Sequence, residues 1–304
     1  MTDLKPEEQR MLFPIDPTPS TRAVAGAPAG HARYLVGDAA TALRTLPDAS
    51  VDVAVTSPPY WAKARYTDDG RELGVGDLDA YVGDLVAVFD ELLRVLAPTG
   101  ALWLNIADTA SGSGGSGGDY MAGGSRAARL GFRQGVSGLA PHQWCQVPGR
   151  VVDALQRSGW LLRSTVVWSK SRAKREALDH ARRPGECWEP IFLLVPAHPN
   201  RRKLIYEWAW REMTEPGNVW TFAPDRDAHH PAVFPPELVR RCLEPFPSAR
   251  TVLDPFAGRG TTLEVAVAAG RDAIGIDLNP EFGALAARRF DATVEAATAT
   301  SHVA

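Results

Sequence analysis

Cysteine is scarce in this chain of 304 residues. Its three cysteines, Cys145, Cys187 and Cys242, are far apart in the sequence. They form neither a C-x-x-C pair nor a cysteine–histidine spacing that suits zinc. The adjacent His229 and His230 have no further ligand at a suitable spacing. We therefore expect reduced thiols, a cytoplasmic location and no metal site.

An excess of positive charge and long apolar runs are also missing. The formal net charge is −3, so any surface that binds nucleic acid has to be a local basic patch. No run of about eighteen apolar residues is present, and we expect no membrane span. Residues 1–30 begin with acids and lack an apolar core segment, so we expect no signal peptide. Hydrophobic residues make up 45% of the chain, enough for the core of one α/β domain with an inserted segment.

A stiff loop follows the apolar run Val51 to Val55, which predicts a short buried strand. The loop reads Thr-Ser-Pro-Pro-Tyr-Trp, and its prolines hold the residues before them in extended geometry. It therefore presents the Ser57 hydroxyl and the Pro58 carbonyl as acceptors, with the Tyr60 ring as a flat wall. That arrangement suits an exocyclic amino group on a planar base. The alternative is a Pro-Pro turn that closes a strand, with Tyr60 and Trp61 packed over it.

A glycine turn lies far along the chain. The sequence Val-Leu-Asp-Pro-Phe-Ala-Gly-Arg-Gly-Thr-Thr at 252–262 runs from a predicted strand into a Gly-x-Gly turn and then a helix. The glycines let the backbone approach a ligand, and the helix N-terminus lies just behind them. The run Ala273 to Asp277 predicts a second strand, whose final acid stands where such folds hold ribose hydroxyls. Together these features predict a cofactor site at the turn.

The two motifs together resemble those of the S-adenosylmethionine-dependent DNA amino-methyltransferases. In that family a Ser/Asp/Asn-Pro-Pro-Tyr tetrad is the catalytic loop and a Phe-x-Gly-x-Gly turn holds the cofactor. The catalytic motif precedes the cofactor motif here, which resembles the permuted order called the β class. The resemblance covers about residues 33–290. It implies a Rossmann-like α/β fold with a mostly parallel, seven-stranded, circularly permuted sheet and an inserted target-recognition segment.

The resemblance also implies roles for individual residues. The implied catalytic residues are Ser57, Pro58, Pro59 and Tyr60. The implied contacts to S-adenosyl-L-methionine are Asp38, Asp254, Pro255, Phe256, Gly258, Gly260, Thr261, Asp277, His230 and Phe234. Asp38 can equally be a helix N-cap. His230 and Phe234 belong to a His-Pro-Ala-x-Phe-Pro segment that lines the cofactor pocket in the family.

The implied reaction is methylation of the N4 amino group of cytosine in duplex DNA, with the base flipped out of the helix. Serine in the first tetrad position resembles the N4-cytosine enzymes, but a neutral acceptor serves either base, so N6-adenine methylation stays open. Other candidates are a catalytically silent DNA-binding relative and a dinucleotide-dependent oxidoreductase. The Ser-Pro-Pro-Tyr loop has no use in hydride transfer, and the retained motif residues argue against a silent relative. Carbon-5 methylation typically needs a cysteine after a proline, and none of the three cysteines follows one.

Basic and aromatic residues concentrate in the middle of the chain. Residues 163–211 hold eleven Lys and Arg against five Asp and Glu, together with Trp188, Trp208 and Trp210. This mixture fits a surface that contacts DNA phosphates, although a solvated charged face is the usual alternative. The predicted DNA contacts are Lys170, Arg172, Lys174, Arg175, Arg182, Arg183, Arg201, Arg202 and Lys203.

The spacing of apolar residues predicts the remaining elements. We expect helices over 78–96, 147–158 and 236–243, and strands over 33–38, 101–106, 160–168 and 190–195. Asp108 follows one strand, either near a target base or as a cap. The predicted divisions are an irregular arm (1–30), a catalytic half (31–169) with a flexible Gly/Ser loop (111–138), a target-recognition region (170–228), a cofactor-binding half (229–292) and a tail (293–304). We expect double-stranded DNA and a cognate restriction endonuclease as partners, and a monomer or homodimer.

Overall fold

Alternating strands and helices build a nine-stranded sheet. The computed structural model describes residues 30–61, 73–74, 77–111, 138–140, 143–170, 186–197, 208–224, 234–290 and 292–297. The strands are β1 (Ala32–Val36), β2 (Val51–Thr56), β3 (Leu96–Asn105), β4 (Trp160–Ser169), β5 (Trp188–Pro196), β6 (Val219–Thr221), β7 (Thr251–Asp254), β8 (Asp272–Asp277) and β9 (Thr293–Ala296). The helices are α1 (Ala39–Arg44), α2 (Leu78–Val95), α3 (Val147–Ser158), α4 (Pro236–Leu243), α5 (Thr261–Ala268) and α6 (Pro280–Phe290).

The sheet is mostly parallel, as expected. From edge to edge the strands follow the order β6-β4-β5-β3-β2-β7-β8-β1-β9. β5 is antiparallel to both of its neighbours, and the other strand pairs are parallel. The sheet exceeds the seven expected strands because the short β6 and β9 extend its two edges. The predicted tail of 293–304 therefore needs correction, since Thr293–Ala296 forms β9 and pairs with β1.

The helices form one layer on each face of the sheet. Leu43 of α1, Phe89 of α2 and Leu155 of α3 lie in one buried apolar cluster. Leu238 of α4 and Leu263 of α5 lie in a second cluster. The inner strands are covered on both faces, which explains why they read as continuous apolar runs in the sequence.

The predicted helices agree closely with the structure. α3 and α4 begin and end at the expected residues, and α2 ends one residue earlier than expected. Asp77 caps α2 because its carboxylate accepts the N–H groups of Asp79 and Ala80. β3 starts at Leu96, directly after α2, and so begins before the predicted strand at Ala101. Its pairing with β2 is irregular over this extra stretch.

The strand order changes direction between β2 and β7. The chain leaves β2 through α2 toward β3, and it leaves β7 through α5 toward β8 on the other side. α2 and α5 cover opposite faces, so a crevice opens at the carboxyl ends of β2 and β7. In open α/β sheets ligands bind in such a crevice. Both sequence motifs lie there.

Several expectations fall outside the described residues. They include nearly all of the predicted arm at 1–30 and of the Gly/Ser loop at 111–138. Among the residues that are described, no helix combines the length and the apolar character needed to cross a bilayer. Over the same residues, His, Cys, Asp and Glu side chains form no group that could hold a metal ion.

Candidate active site

A buried carboxylate joins the two strand ends that carry the motifs. The Thr56 hydroxyl, at the end of β2, donates to Asp254 Oδ1 over 2.6 Å. The Thr262 hydroxyl, in the first turn of α5, donates to Asp254 Oδ2 over 2.7 Å. The Phe256 N–H donates to Asp254 Oδ1 over 3.0 Å. These bonds fix the proline loop beside the glycine turn.

Asp254 is enclosed by the protein, with only 1% of the residue exposed. Burial raises the pKa of its carboxyl to about 6, although the hydrogen bonds from Thr56, Thr262 and Phe256 act in the opposite direction. The position indicates that Asp254 holds the glycine turn in place. Its predicted part in cofactor binding would then be indirect.

The two glycines of the turn have different tasks. Gly258 and Gly260 have φ angles of 50° and 84°, in the left-handed region that favours glycine. A Cβ at Gly258 would meet no atom of the described residues within 4 Å, so the backbone there borders open space that a ligand can enter. A Cβ at Gly260 would lie 2.6 Å from Cζ of Phe290. The Phe290 ring of α6 therefore lies against Gly260 and leaves little room for a side chain there.

Asp277, at the end of β8, faces the same turn. Its Oδ2 accepts the Gly258 N–H over 3.0 Å, and its Oδ1 accepts the Asn279 N–H over 2.9 Å. Burial raises the pKa of this carboxyl to about 6, while the backbone hydrogen bonds oppose the rise. Each carboxylate oxygen can accept a second bond. A carboxylate with spare acceptor capacity beside an open backbone turn fits the ribose of an adenosine cofactor.

Phe256 is the ring of the turn that a cofactor could contact. It is half-buried, and its ring meets that of Phe89 edge-on, with the centroids 6.4 Å apart. Pro255 and Thr261, on either side of the turn, are buried. Part of the Phe256 ring is therefore available to a cofactor, while Pro255 and Thr261 are buried within the protein.

The remaining predicted cofactor contacts are Asp38, Phe234 and His230. Asp38 is exposed and accepts the Thr41 N–H over 2.9 Å, so it caps α1 as the alternative interpretation held. Phe234 is buried in the cluster of α4 and α5. His230 is not among the described residues.

The proline loop is anchored through its carbonyl groups. The Pro59 carbonyl accepts the Tyr81 hydroxyl over 2.8 Å, and the Trp61 carbonyl accepts the Thr109 hydroxyl over 3.1 Å. Trp61 is 2% exposed and belongs to the core cluster. Trp61 therefore packs in the core, as the structural alternative predicted. Ser57, Pro59 and Tyr60 are half-buried, and Pro58 is buried.

A network of polar side chains surrounds Tyr60, and sequence reasoning missed two of its members, Asn105 and Glu189. The Ser57 hydroxyl donates to the Tyr60 oxygen over 3.2 Å. The Tyr60 hydroxyl lies 3.2 Å from Asn105 Oδ1 and 3.3 Å from Glu189 Oε2. The Lys170 ammonium pairs with the other carboxylate oxygen of Glu189. We call Ser57, Tyr60, Asn105, Glu189 and Lys170 the Tyr60 network.

The members of the Tyr60 network come from four strands. Asn105 ends β3, Lys170 follows β4, and Glu189 begins the antiparallel β5. Because β5 runs against its neighbours, its amino end lies at their carboxyl edge. A search for polar residues at the ends of the apolar runs 101–106 and 190–195 would have found Asn105 and Glu189.

Lys170 has a different setting from the one expected. It was predicted to contact DNA phosphate, yet its ammonium lies on Glu189 and 4.8 Å from the centroid of the Trp168 ring. The eight other predicted DNA contacts lie outside the described residues: Arg172, Lys174, Arg175, Arg182, Arg183, Arg201, Arg202 and Lys203. Their contact with DNA stays a prediction.

Asp108 serves as a cap. Its carboxylate accepts the N–H groups of Thr109, Gln146 and Val147. The last two lie at the start of α3, so the carboxylate supplies acceptors for the helix N-terminus. This arrangement matches the capping interpretation of Asp108 and removes the need for a role beside a target base.

The fold and the site define the class of protein. A mostly parallel α/β sheet carries a glycine turn, a carboxylate after the following strand and a Ser-Pro-Pro-Tyr loop at one crevice, which is the arrangement of a Rossmann-like methyltransferase. A family model described as DNA methylase matches residues 51–288. The chain therefore belongs to the DNA methylase family. The methyl donor of this family is S-adenosylmethionine, which confirms the predicted cofactor.

Individual relatives agree with this assignment. The chain is 39% identical over 267 residues to the type II methyltransferase M.XycI of Xanthomonas campestris pv. cyanopsidis, a match that covers 83% of this chain and 85% of that protein. It is 26% identical over 282 residues to the DNA adenine methyltransferase YhdJ of Escherichia coli (strain K12), covering 84% and 81%.

Solved structures share the fold. TTHA0409 of Thermus thermophilus, solved in complex with S-adenosyl-L-methionine, aligns with a TM-score of 0.60 at 27% identity and covers 88% of this chain and 97% of that one. PvuII DNA methyltransferase (cytosine-N4-specific) aligns with a TM-score of 0.62 at 18% identity, covering 86% and 90%. The second similarity concerns the fold alone.

Proposed function

We propose that this protein transfers a methyl group from S-adenosylmethionine to the N4 amino group of cytosine in duplex DNA. The observation that carries the proposal is the position of Ser57 and Pro58. Their hydroxyl and carbonyl follow β2 directly, and the Thr56–Asp254 bond of 2.6 Å fixes that strand end beside the glycine turn. Acceptors for an amino group and a site for the methyl donor are thereby adjacent.

The amino nitrogen of a base is a poor nucleophile because its lone pair is delocalised into the ring. Acceptors that bind its protons localise the pair and stabilise the positive charge that grows as the methyl group arrives. We assign this task to the Ser57 hydroxyl and the Pro58 carbonyl. Tyr60 stacks on the base, which has to leave the duplex because its amino group is unreachable inside the stack. Asp277 and Phe256 hold the ribose and the adenine of the cofactor.

Serine at position 57 supports cytosine as the target, by resemblance to the N4-cytosine enzymes. Methylation of N6 of adenine is the second candidate, because the same neutral acceptors fit either amino group and the adenine-specific YhdJ is 26% identical to this chain. Carbon-5 chemistry remains rejected. Cys145 and Cys242 are buried, and burial raises the pKa of both thiols, which disfavours the thiolate nucleophile.

The DNA-facing part of the proposal rests on charge. The basic excess lies in residues 163–211, with eleven Lys and Arg against five Asp and Glu. This stretch overlaps the predicted target-recognition region 170–228, which supplies β5 and the edge strand β6. We propose that this region contacts phosphates and reads the target sequence. We also propose that the protein has a cognate restriction endonuclease, is a monomer or a homodimer, and is located in the cytoplasm.

The deciding experiment identifies the product. The purified protein is incubated with unmethylated duplex DNA and labelled S-adenosylmethionine, and the DNA is digested to nucleosides for mass analysis. N4-methylcytosine is the expected product. N6-methyladenine would keep the mechanism and overturn the choice of base. An absence of labelled nucleoside across varied DNA and salt would favour a silent DNA-binding protein.

A further inference from the structure

The hydrogen bonds of the Tyr60 network have a defined direction. Nδ2 of Asn105 donates to the Pro190 carbonyl over 3.1 Å and to Glu189 Oε2 over 3.3 Å. A carbonyl can only accept, so the amide oxygen of Asn105 has to face Tyr60. The Lys170 ammonium can only donate, and it donates to Glu189 Oε1. Ser57 therefore donates to Tyr60, and Tyr60 donates toward the amide oxygen of Asn105 and the carboxylate of Glu189.

The network is shielded from solvent. Asn105 is 2% exposed, and the side chains of Glu189 and Lys170 are 14% and 25% exposed. Trp168 covers the ammonium of Lys170, with 4.8 Å between Nζ and the ring centroid. An ion pair in such a place loses much of its hydration. A buried ion pair adds little stability, so the contact between Glu189 and Tyr60 of the catalytic loop suggests a role in catalysis.

Amino methylation leaves one proton to be removed. The nitrogen–carbon bond forms, the sulfur–carbon bond breaks, and the nitrogen then bears a positive charge until it loses a proton. The Pro58 carbonyl can bind this proton without removing it. The Ser57 hydroxyl can take it only by passing its own proton to the Tyr60 oxygen at 3.2 Å. Tyr60 in turn can pass its proton to Glu189 Oε2 at 3.3 Å.

We propose that Glu189 is the final acceptor, through Tyr60 and Ser57, of the proton that the amino nitrogen loses on methylation. The carboxylate becomes a carboxylic acid, and both hydroxyls are restored. Lys170 and Asn105 are positioning residues that hold Glu189 and Tyr60 in line. This proposal rests on the proposed function of Ser57, and it needs an amino group of either base.

The test compares single-turnover methyl transfer at saturating S-adenosylmethionine and DNA for three variants: Glu189→Gln, Tyr60→Phe and the double variant. Each single variant is expected to transfer the methyl group on the order of 10²-fold more slowly, because the proton path is cut. The double variant should be no slower than the slower single variant, since both act on one path. The dissociation constant for S-adenosylmethionine should stay within about twofold.

The pH profile supplies a second readout. Glu189→Gln and Tyr60→Phe should share one pH profile of the rate, and this profile should differ from that of the wild type, because both variants cut the same proton path. Saturating cofactor removes the contribution of Asp277. Glu295→Gln is the matched control, because Glu295 pairs with Arg33 at the far edge of the sheet over 2.8 Å. It should keep the wild-type rate and profile.

Three results would overturn the proposal: a wild-type rate in Glu189→Gln, multiplied losses in the double variant, or a loss confined to cofactor affinity. If Glu189→Gln does not fold, Tyr60→Phe carries the test, because it cuts the same path and keeps the ring. A wild-type product that depends on Ser57, combined with an unaffected Glu189→Gln, rejects the proton path alone. An absence of product in the wild type rejects the proposed function and with it this inference.

Discussion

The two sides of the crevice are built in different ways. On the cofactor side, the parts come from one continuous stretch, residues 254–277, and the carboxylate of Asp277 binds backbone N–H groups. On the catalytic side, Ser57, Asn105 and Glu189 come from separate strands. Side-chain hydrogen bonds link Ser57 to Tyr60, Tyr60 to Asn105, and Asn105 to Glu189. Bonds from backbone N–H groups to a carboxylate therefore support the cofactor side, and bonds between side chains support the catalytic side.

This difference separates binding from turnover. A substitution of Asp277 removes one ligand contact and one bond to the Gly258 N–H, so the affinity for S-adenosylmethionine should respond first. A substitution on the catalytic side removes an acceptor or a link in the network, so the rate should respond first. The predictions below are arranged to break this separation, beginning with the largest effect.

Ser57→Ala should lower kcat by about 10²- to 10³-fold, the usual cost of removing one group aimed at developing charge. The dissociation constant for S-adenosylmethionine should change by less than about twofold. Single-turnover kinetics and calorimetric titration of the cofactor measure the two quantities. An equal loss of cofactor affinity would show that the two sides are not separate.

Asp277→Ala should weaken S-adenosylmethionine binding by about 10- to 100-fold, because hydrogen bonds to a charged group are worth about 1.5–3 kcal/mol. The rate at saturating cofactor should remain within about threefold of wild type, because the lost contact holds the cofactor equally in the ground state and in the transition state. Asp38→Ala is a useful comparison, since Asp38 is exposed and caps α1. A larger loss of affinity in Asp38→Ala would place the cofactor differently from our proposal.

Cofactor affinity should fall as the pH drops below about 6. The pKa of Asp277 is raised to about 6, so its carboxylate is ionised at neutral pH and protonated at pH 5, where it accepts fewer hydroxyl groups. Titrations between pH 5 and 8 should show a decline of at most about tenfold per pH unit. Asp277→Asn should flatten this dependence.

Protein unfolding does not explain that decline. The pKa values of Asp254 and Asp277 are both raised to about 6 in the folded protein. Between about pH 4 and 6 the folded state therefore binds more protons than the unfolded state, and the free energy of unfolding from these two groups increases as the pH falls. An acid loss of affinity that coincides with a lower melting temperature would contradict this account.

The sequence predicted the cofactor side of the crevice better than the catalytic side. The glycine turn, the strand to Asp277 and the helices α3 and α4 were predicted because their signals are local in sequence. Glu189 and Asn105 were missed because their importance depends on which strands become neighbours. The antiparallel direction of β5 brings Glu189 to Tyr60, and no local pattern states that direction. β9 was missed because Thr293–Ala296 is short and largely exposed, without an apolar run to mark it.

Thr262→Val tests the bonds to Asp254 that join the two sides. The Thr262 hydroxyl donates to Asp254 Oδ2, and the opposite oxygen of Asp254 accepts from Thr56. Valine keeps the shape of the side chain and removes the donor. The free energy of unfolding should fall by about 1 kcal/mol for the lost hydrogen bond, and by up to about 3 kcal/mol if Asp254 Oδ2 is left without a partner. Thermal unfolding measures the loss, and Thr165→Val, on an exposed position of β4, should stay within about 0.5 kcal/mol of wild type. Because Asp254 still accepts from Thr56 and Phe256, kcat and cofactor affinity should each change by less than about twofold. A large joint loss of both would show that the Asp254 bonds position the methyl donor against the acceptor loop, and that the two sides work as one unit.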